Sequence, residues 1–135
     1  MKSKKLFPGM ASIAVTAFLF IGSNSLAQEN WVAPVSADEI VNPLKGDANA
    51  AASGKKTYKM LCVVCHGAKG KGDGIGSAGL QPKPTDLTST KVQAQTDGAI
   101  FWKIEEGRSP MPSYKTTLQE KKRWEIINYI RKLKK

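Results

Sequence analysis

The 135-residue sequence predicts a small all-α domain whose side chains alone cannot fill its core. Three observations carry this. From Thr117 to Leu133, Trp124, Ile126, Ile127, Ile130 and Leu133 recur at helical spacing. Nowhere do apolar and polar residues alternate as a half-buried strand requires. Gly67, Gly70, Gly72, Gly74, Gly76 and Gly79 fall within thirteen residues, a segment with much chain entropy and few packing atoms. The 41% apolar fraction is that of a folded chain, and the length fits one domain.

The first segment, residues 1–27, reads as a secretory signal peptide. Lys2, Lys4 and Lys5 precede the run Ile13 to Ile21, apolar apart from Thr16, and Ser25-Leu26-Ala27 sets small residues at −3 and −1 of a cleavage after Ala27. A retained membrane anchor competes with this, but Pro8, Gly9, Gly22, Ser23 and Asn24 cut the apolar stretch below the ~20 residues a span needs. No cysteine follows the small-residue exit, so a lipid anchor is not expected there. The expected location is therefore the periplasm. Cleavage removes three lysines and no acid, so the net charge of +10 falls to +7 over 108 residues. A domain of that size buries only about two-thirds of its unfolded surface.

Residues 28–45 combine Trp31, Pro34, Asn42 and Pro43 with no period, and read as an extended arm that either lies on the domain or stays loose. The domain proper spans 46–135. Its first helix is expected from Ala48 to Met60, with Tyr58 on the apolar side. Residues 67–90, with Pro82 and Pro84, read as loop. A second helix fits Asp97 to Glu106, capped by Thr96 or Asp97 and ended by Gly107. The last begins at a capping box, Thr117 to Glu120, and ends in Arg131, Lys132, Lys134 and Lys135, which suit the negative end of the helix dipole.

The chemistry lies in Cys62-Val63-Val64-Cys65-His66. C-x-x-C-H is the attachment motif of c-type haem: two thiols form thioethers with the haem vinyl groups, and the adjacent histidine ligates the iron. A thioredoxin-like pair would need a βαβ setting, which is missing. Zinc would need a fourth ligand, and no other Cys or His exists. A disulfide between Cys62 and Cys65 stays open in an exported chain. The lone histidine rules out bis-histidine ligation within the chain. After cleavage only Met60 and Met111 remain as thioethers, and Met60 lies two residues before Cys62. Met111, between Pro110 and Pro112, is the expected second axial ligand; its competing role is a core gap-filler.

Gly54-x-x-x-Tyr58-x-x-x-Cys62, Cys65-His66-Gly67-Ala68-x-Gly70-x-Gly72-Asp73-Gly74, Ile100-Phe101-Trp102 before Gly107-Arg108-Ser109-Pro110-Met111-Pro112, and Trp124-x-x-x-x-Tyr129-Ile130-Arg131 together resemble a class I monohaem cytochrome c of the bacterial electron-transfer type. The resemblance covers roughly 46–133. It implies a small cytochrome c fold, with three or more helices and long Gly/Pro-rich loops around one covalently attached haem c. It also implies that the first and last helices cross at Gly54, with Tyr58, Ile126 and Tyr129 packed around the crossing. In such proteins a proline carbonyl usually accepts the hydrogen bond of the proximal histidine, and Pro82 is the candidate here.

The expected function is one-electron transfer without substrate chemistry, because His66 and Met111 would saturate the iron and a thioether favours Fe(II). A freely diffusing carrier between a quinol-oxidising complex and a terminal oxidase or reductase leads, acting as a monomer. A haem subunit bound to a membrane complex, docked through the 28–45 arm, is second. A haem enzyme or gas sensor with a dissociable Met111 is third. Lys69, Lys71, Lys83, Arg108 and Lys115 are candidates for steering an acidic partner. Lys121, Lys122, Arg123 and the terminal run Arg131 to Lys135 read equally as a solvated face. Nucleic acid is not an expected partner, since no binding motif is present.

Overall fold

In the computed structural model, which describes residues 31–134, the chain forms helices joined by long loops, with no strand among the described residues. The expected signal peptide, residues 1–27, and its expected cleavage site lie outside them. Among the described residues no helix is long and apolar enough to cross a membrane.

Helix α1 (Ala48–Leu61) starts where Asp47 accepts hydrogen bonds from the backbone N–H groups of Asn49 and Ala50, at 2.7 and 3.1 Å. Its buried side carries Ala50, Ala51, Gly54, Thr57 and Tyr58. These small residues let it lie close against the last helix, α5 (Glu120–Lys132). The contact is backbone on backbone: a Cβ at Gly54 would stand 1.8 Å from the Glu125 carbonyl oxygen. Tyr58 packs on Tyr129 with ring centroids 5.1 Å apart, and Ile126 is buried beside them. The crossing implied by the family pattern is present.

The other layer is α4 (Asp97–Glu106), capped by the Thr96 hydroxyl, which accepts from the N–H of Ala99 at 3.0 Å. Gly107, at φ 65°, ends it in a conformation side-chain-bearing residues avoid. Ile100, Phe101 and Ile104 meet Trp124, Ile127 and Ile130 of α5 in the apolar core, where Phe101 stacks on Trp124 at 4.0 Å. The motif turn α2 (Val63–His66) and the short α3 (Thr90–Gln93) complete the helices.

Two sequence readings require correction here. The capping box does not form: α5 begins at Glu120, with Gln119 as an N-cap that makes no side-chain bond. The second correction is Arg123, which is not on a solvated face but buried. Its guanidinium donates to the carbonyls of Tyr114, Lys115 and Leu118 and to the Glu105 carboxylate. Those bonds hold residues 114–118 as a turn, and Thr117 lies in that turn and not at the cap position. Glu120, freed from the box, accepts from the Trp124 indole N–H at 3.2 Å.

The arm contains a 3-10 turn, Val35–Glu39, which an aperiodic sequence did not announce. It lies on the domain, with Ala37 and Asn42 buried. Asn42 donates to the Asp97 carboxylate at 2.8 Å, and the Thr96 hydroxyl donates to Asp38 at 2.6 Å.

Candidate functional site

The end of α1 runs straight into the motif. Cys62 is both the C-cap of α1 and the N-cap of α2, its N–H bonded to the Tyr58 carbonyl at 2.8 Å. The His66 N–H then bonds to the Cys62 carbonyl, also at 2.8 Å, so the two thiols and the imidazole share one helical turn. Both cysteines are free thiols and half-buried; they do not form the disulfide left open by the sequence.

The glycine loop wraps this turn. Gly72 donates to the His66 carbonyl at 2.9 Å and Gly74 to that of Cys65 at 3.1 Å. A Cβ at Gly74 would lie 2.3 Å from the Val64 carbonyl oxygen, so the loop comes as close as backbone permits. Tyr58 ties it from within, its buried hydroxyl donating to the Gly67 carbonyl at 2.9 Å. Burial, then the Cys62 thiol nearby, pushes the Tyr58 phenol well above its ordinary range, so it stays neutral and serves as a donor.

His66 Nδ1 lies 3.2 Å from the Thr85 carbonyl oxygen. A carbonyl only accepts, so Nδ1 carries the proton and the Nε2 lone pair is left for other use. The acceptor is Thr85, not Pro82. The cause is the route of the loop: Leu87 N–H bonds to the Gly70 carbonyl at 2.7 Å, and a Cβ at Gly72 would stand 2.2 Å from the Pro84 oxygen. Residues 84–87 are thereby laid along the glycine loop, which brings the Thr85 carbonyl to the imidazole. Burial lowers the His66 pKa, with the Thr85 bond pulling the other way, so the neutral, ligating form is favoured.

Met111 stands in a tight turn after α4. Arg108 N–H donates to the Met111 carbonyl at 2.9 Å, and Met111 N–H donates back at 2.8 Å. Its side chain is partly buried and packs against the edge of the apolar core. Met60, by contrast, is 73% exposed. The Tyr114 hydroxyl reaches the Leu61 carbonyl at 3.4 Å and links this loop to the start of the motif.

The donor set can be tested against a covalent haem. Burial, then the charge of Cys65, pushes the Cys62 thiol up to about 12. A dithiol redox site wants a lowered thiol pKa, so the pair is poorly suited to disulfide exchange. Among the described residues no group of three or more His, Cys, Asp or Glu could hold a free metal ion. Two free thiols on one helical turn, an imidazole whose Nδ1 is engaged by the Thr85 carbonyl and a thioether at the core edge fit a haem.

A family model described as "Cytochrome C oxidase, cbb3-type, subunit III" matches residues 49–130. The chain belongs to this cytochrome c family. Among solved structures, it is similar to a chain of the Kuenenia stuttgartiensis reducing HAO-like protein complex Kustc0457/Kustc0458, at 28% identity and TM-score 0.63 over 71% of this chain. The chain spans 50% of that neighbour's length. It is also similar to the KustC0563 c-type cytochrome, at 27% identity and TM-score 0.52, covering 61% of this chain and 98% of that one. Cytochrome CL from Methylophaga aminisulfidivorans MPT, at 22% identity and TM-score 0.53 over 67% of this chain and 57% of that one, shares the fold. No curated protein matches significantly. The domain is thus that of an all-α, monohaem class I c-type cytochrome, a family that binds haem c covalently and whose domain implies haem-based electron transfer.

Of the steering candidates, Lys69, Lys71 and Lys83 are exposed, and Lys115 pairs with Glu106 at 3.3 Å on the surface. Arg108 instead lies over the Trp31 ring, 5.2 Å from its centroid. Arg131 of the terminal run pairs with Asp97 at 2.6 Å and donates to the carbonyls of Gln93 and Gln95. Sequence reasoning missed Thr85, Trp31 and the buried role of Arg123.

Proposed function

We propose that this cytochrome is a one-electron carrier in which Cys62 and Cys65 would hold haem c as thioethers and His66 and Met111 would ligate its iron. Bound haem supplies an Fe(III)/Fe(II) couple. The observation that carries the reading is the His66 imidazole, protonated at Nδ1 by its bond to Thr85 and open at Nε2. That bond fixes the ring orientation and raises ligand basicity. Met111 offers a neutral thioether, which favours the reduced state. If His66 and Met111 both hold the iron, no position would be left on it for a substrate, and the group would supply electron transfer without bond chemistry.

Partner recognition follows from the surface beside the motif. Met60, Val64 and Ile75, all exposed, line a shallow cleft with Lys59, Lys69 and Asp73. An apolar centre whose rim carries two lysines and one carboxylate, with exposed Lys71 and Lys83 on the following loop, suits an acidic redox protein, with charge guiding the encounter. The partners in view are a quinol-oxidising complex and a terminal oxidase or reductase, met in the periplasm after removal of residues 1–27.

The test is a redox titration followed by spectra. Met111→Ala should open the iron to added ligands, lower the potential and abolish the ferric thioether–iron absorption. Persistence of that absorption in the variant would assign the ligand elsewhere.

A second reading, a subunit held permanently in a membrane complex, is favoured by the oxidase-subunit description of the family and by the neighbour from a multi-protein complex. Release of the protein from washed membranes at low salt would rule it out.

A further inference from the structure

The arm runs back along α4 and touches it at both ends. At the start of α4, Asn42 and Asp38 bond to Asp97 and Thr96. One residue on, Gly98 receives the arm: a Cβ there would stand 2.0 Å from the Ala37 carbonyl oxygen and 2.7 Å from that of Ile40. At the far end, the Trp31 ring sits against Trp102, centroids 6.4 Å apart, with Lys103 Nζ at 5.8 Å and the Arg108 guanidinium at 5.2 Å. Arg108 is the residue whose backbone pairs in both directions with Met111. Trp31 and the arm lie before residue 49, where the family match begins.

We infer that the arm is a strap for the Met111 loop, and that Trp31 is a positioning residue that acts through Arg108. Trp31 holds the Arg108 side chain by cation–π contact against the end of α4. With that side chain fixed, the Arg108–Met111 backbone pair cannot swing outward, and the thioether stays directed at the site. The inference rests on Met111 being an axial ligand.

The experiment uses the ferric holoprotein, titrated with imidazole while the thioether–iron absorption is followed. Trp31→Ala should raise imidazole affinity about fivefold, the equivalent of roughly 1 kcal/mol for one partly exposed cation–π contact. Trp31→Phe, which keeps a ring under Arg108, should stay near the wild-type value. Gly98→Val lifts the strap from its other end and should reproduce the rise without touching Trp31. In an Arg108→Ala background, Trp31→Ala should add nothing. Wild-type imidazole affinity in Trp31→Ala or Gly98→Val, or additive effects at Trp31 and Arg108, would overturn the inference. Absence of the thioether absorption from the wild-type protein would instead sink the Met111 assignment, so the two failures are distinct.

Discussion

Where α1 crosses α5, Gly54 brings backbone against backbone, whereas the loop after Met111 is held chiefly by side chains that reach in from other elements. The first seam has no slack. Its closeness depends on one missing Cβ, and the neighbouring residues on both helices are buried. The second seam depends on Arg123, whose guanidinium gathers three carbonyls of residues 114–118, and on the pairing of Arg108 with Met111. The difference suits a carrier. The turn that carries His66 follows directly from the fixed crossing, while the loop that carries Met111 is held by replaceable side-chain contacts; under the proposed ligation, those contacts are where ligand strength would be adjusted.

Gly54→Val should break the first seam outright. With 1.8 Å between the added carbon and the Glu125 oxygen, the helices must part, at a cost above about 4 kcal/mol. Recovery of holoprotein and its denaturant midpoint would measure this; a near-wild-type midpoint would mean the helices tolerate separation.

Arg123→Ala attacks the second seam. It leaves Glu105 and three inward-facing carbonyls without their donor, and should cost about 3–5 kcal/mol. If the seams are separable, the thioether absorption should weaken in this variant before the Soret band changes. A double variant, Arg123→Met with Glu105→Leu, should recover much of the stability, because it removes the stranded charge.

Tyr58→Phe sharpens the contrast on the rigid side. It keeps the ring packing and removes only the bond to the Gly67 carbonyl, for about 1–2 kcal/mol. A shifted denaturant midpoint with an unchanged potential would show that this side stabilises without tuning. Smallest is Thr96→Ala, which removes the α4 cap and the bond to Asp38 for about 1 kcal/mol, read by thermal melting.

The legible parts of the molecule were those whose signals are local. Residues 97–106 read as a helix because Thr96 and Gly107 bound it, and Gly54 read as a crossing because the surrounding pattern is characteristic of its family. Cys62, Cys65 and His66 are adjacent in sequence, so their joint chemistry is visible without a fold. Thr85 was not visible, because it acts through a carbonyl that every residue possesses, and only the course of residues 84–87 along the glycine loop selects it. Arg123 misled for another reason. Beside Lys121 and Lys122 it looked like surface charge, and its partners lie in a loop and in α4. The 3-10 turn of the arm lacks a period, so composition alone read it as extended.

Gly98 gives a way of sorting other sequences. Gly98 stands in the first turn of α4, where a Cβ would lie 2.0 Å from the Ala37 carbonyl oxygen, so it is the approach of the arm and not helix propensity that asks for glycine there. It marks the berth of a segment that comes from before the domain. A relative with a side chain at the equivalent position has no room for such a segment, and its methionine loop must be secured by other means.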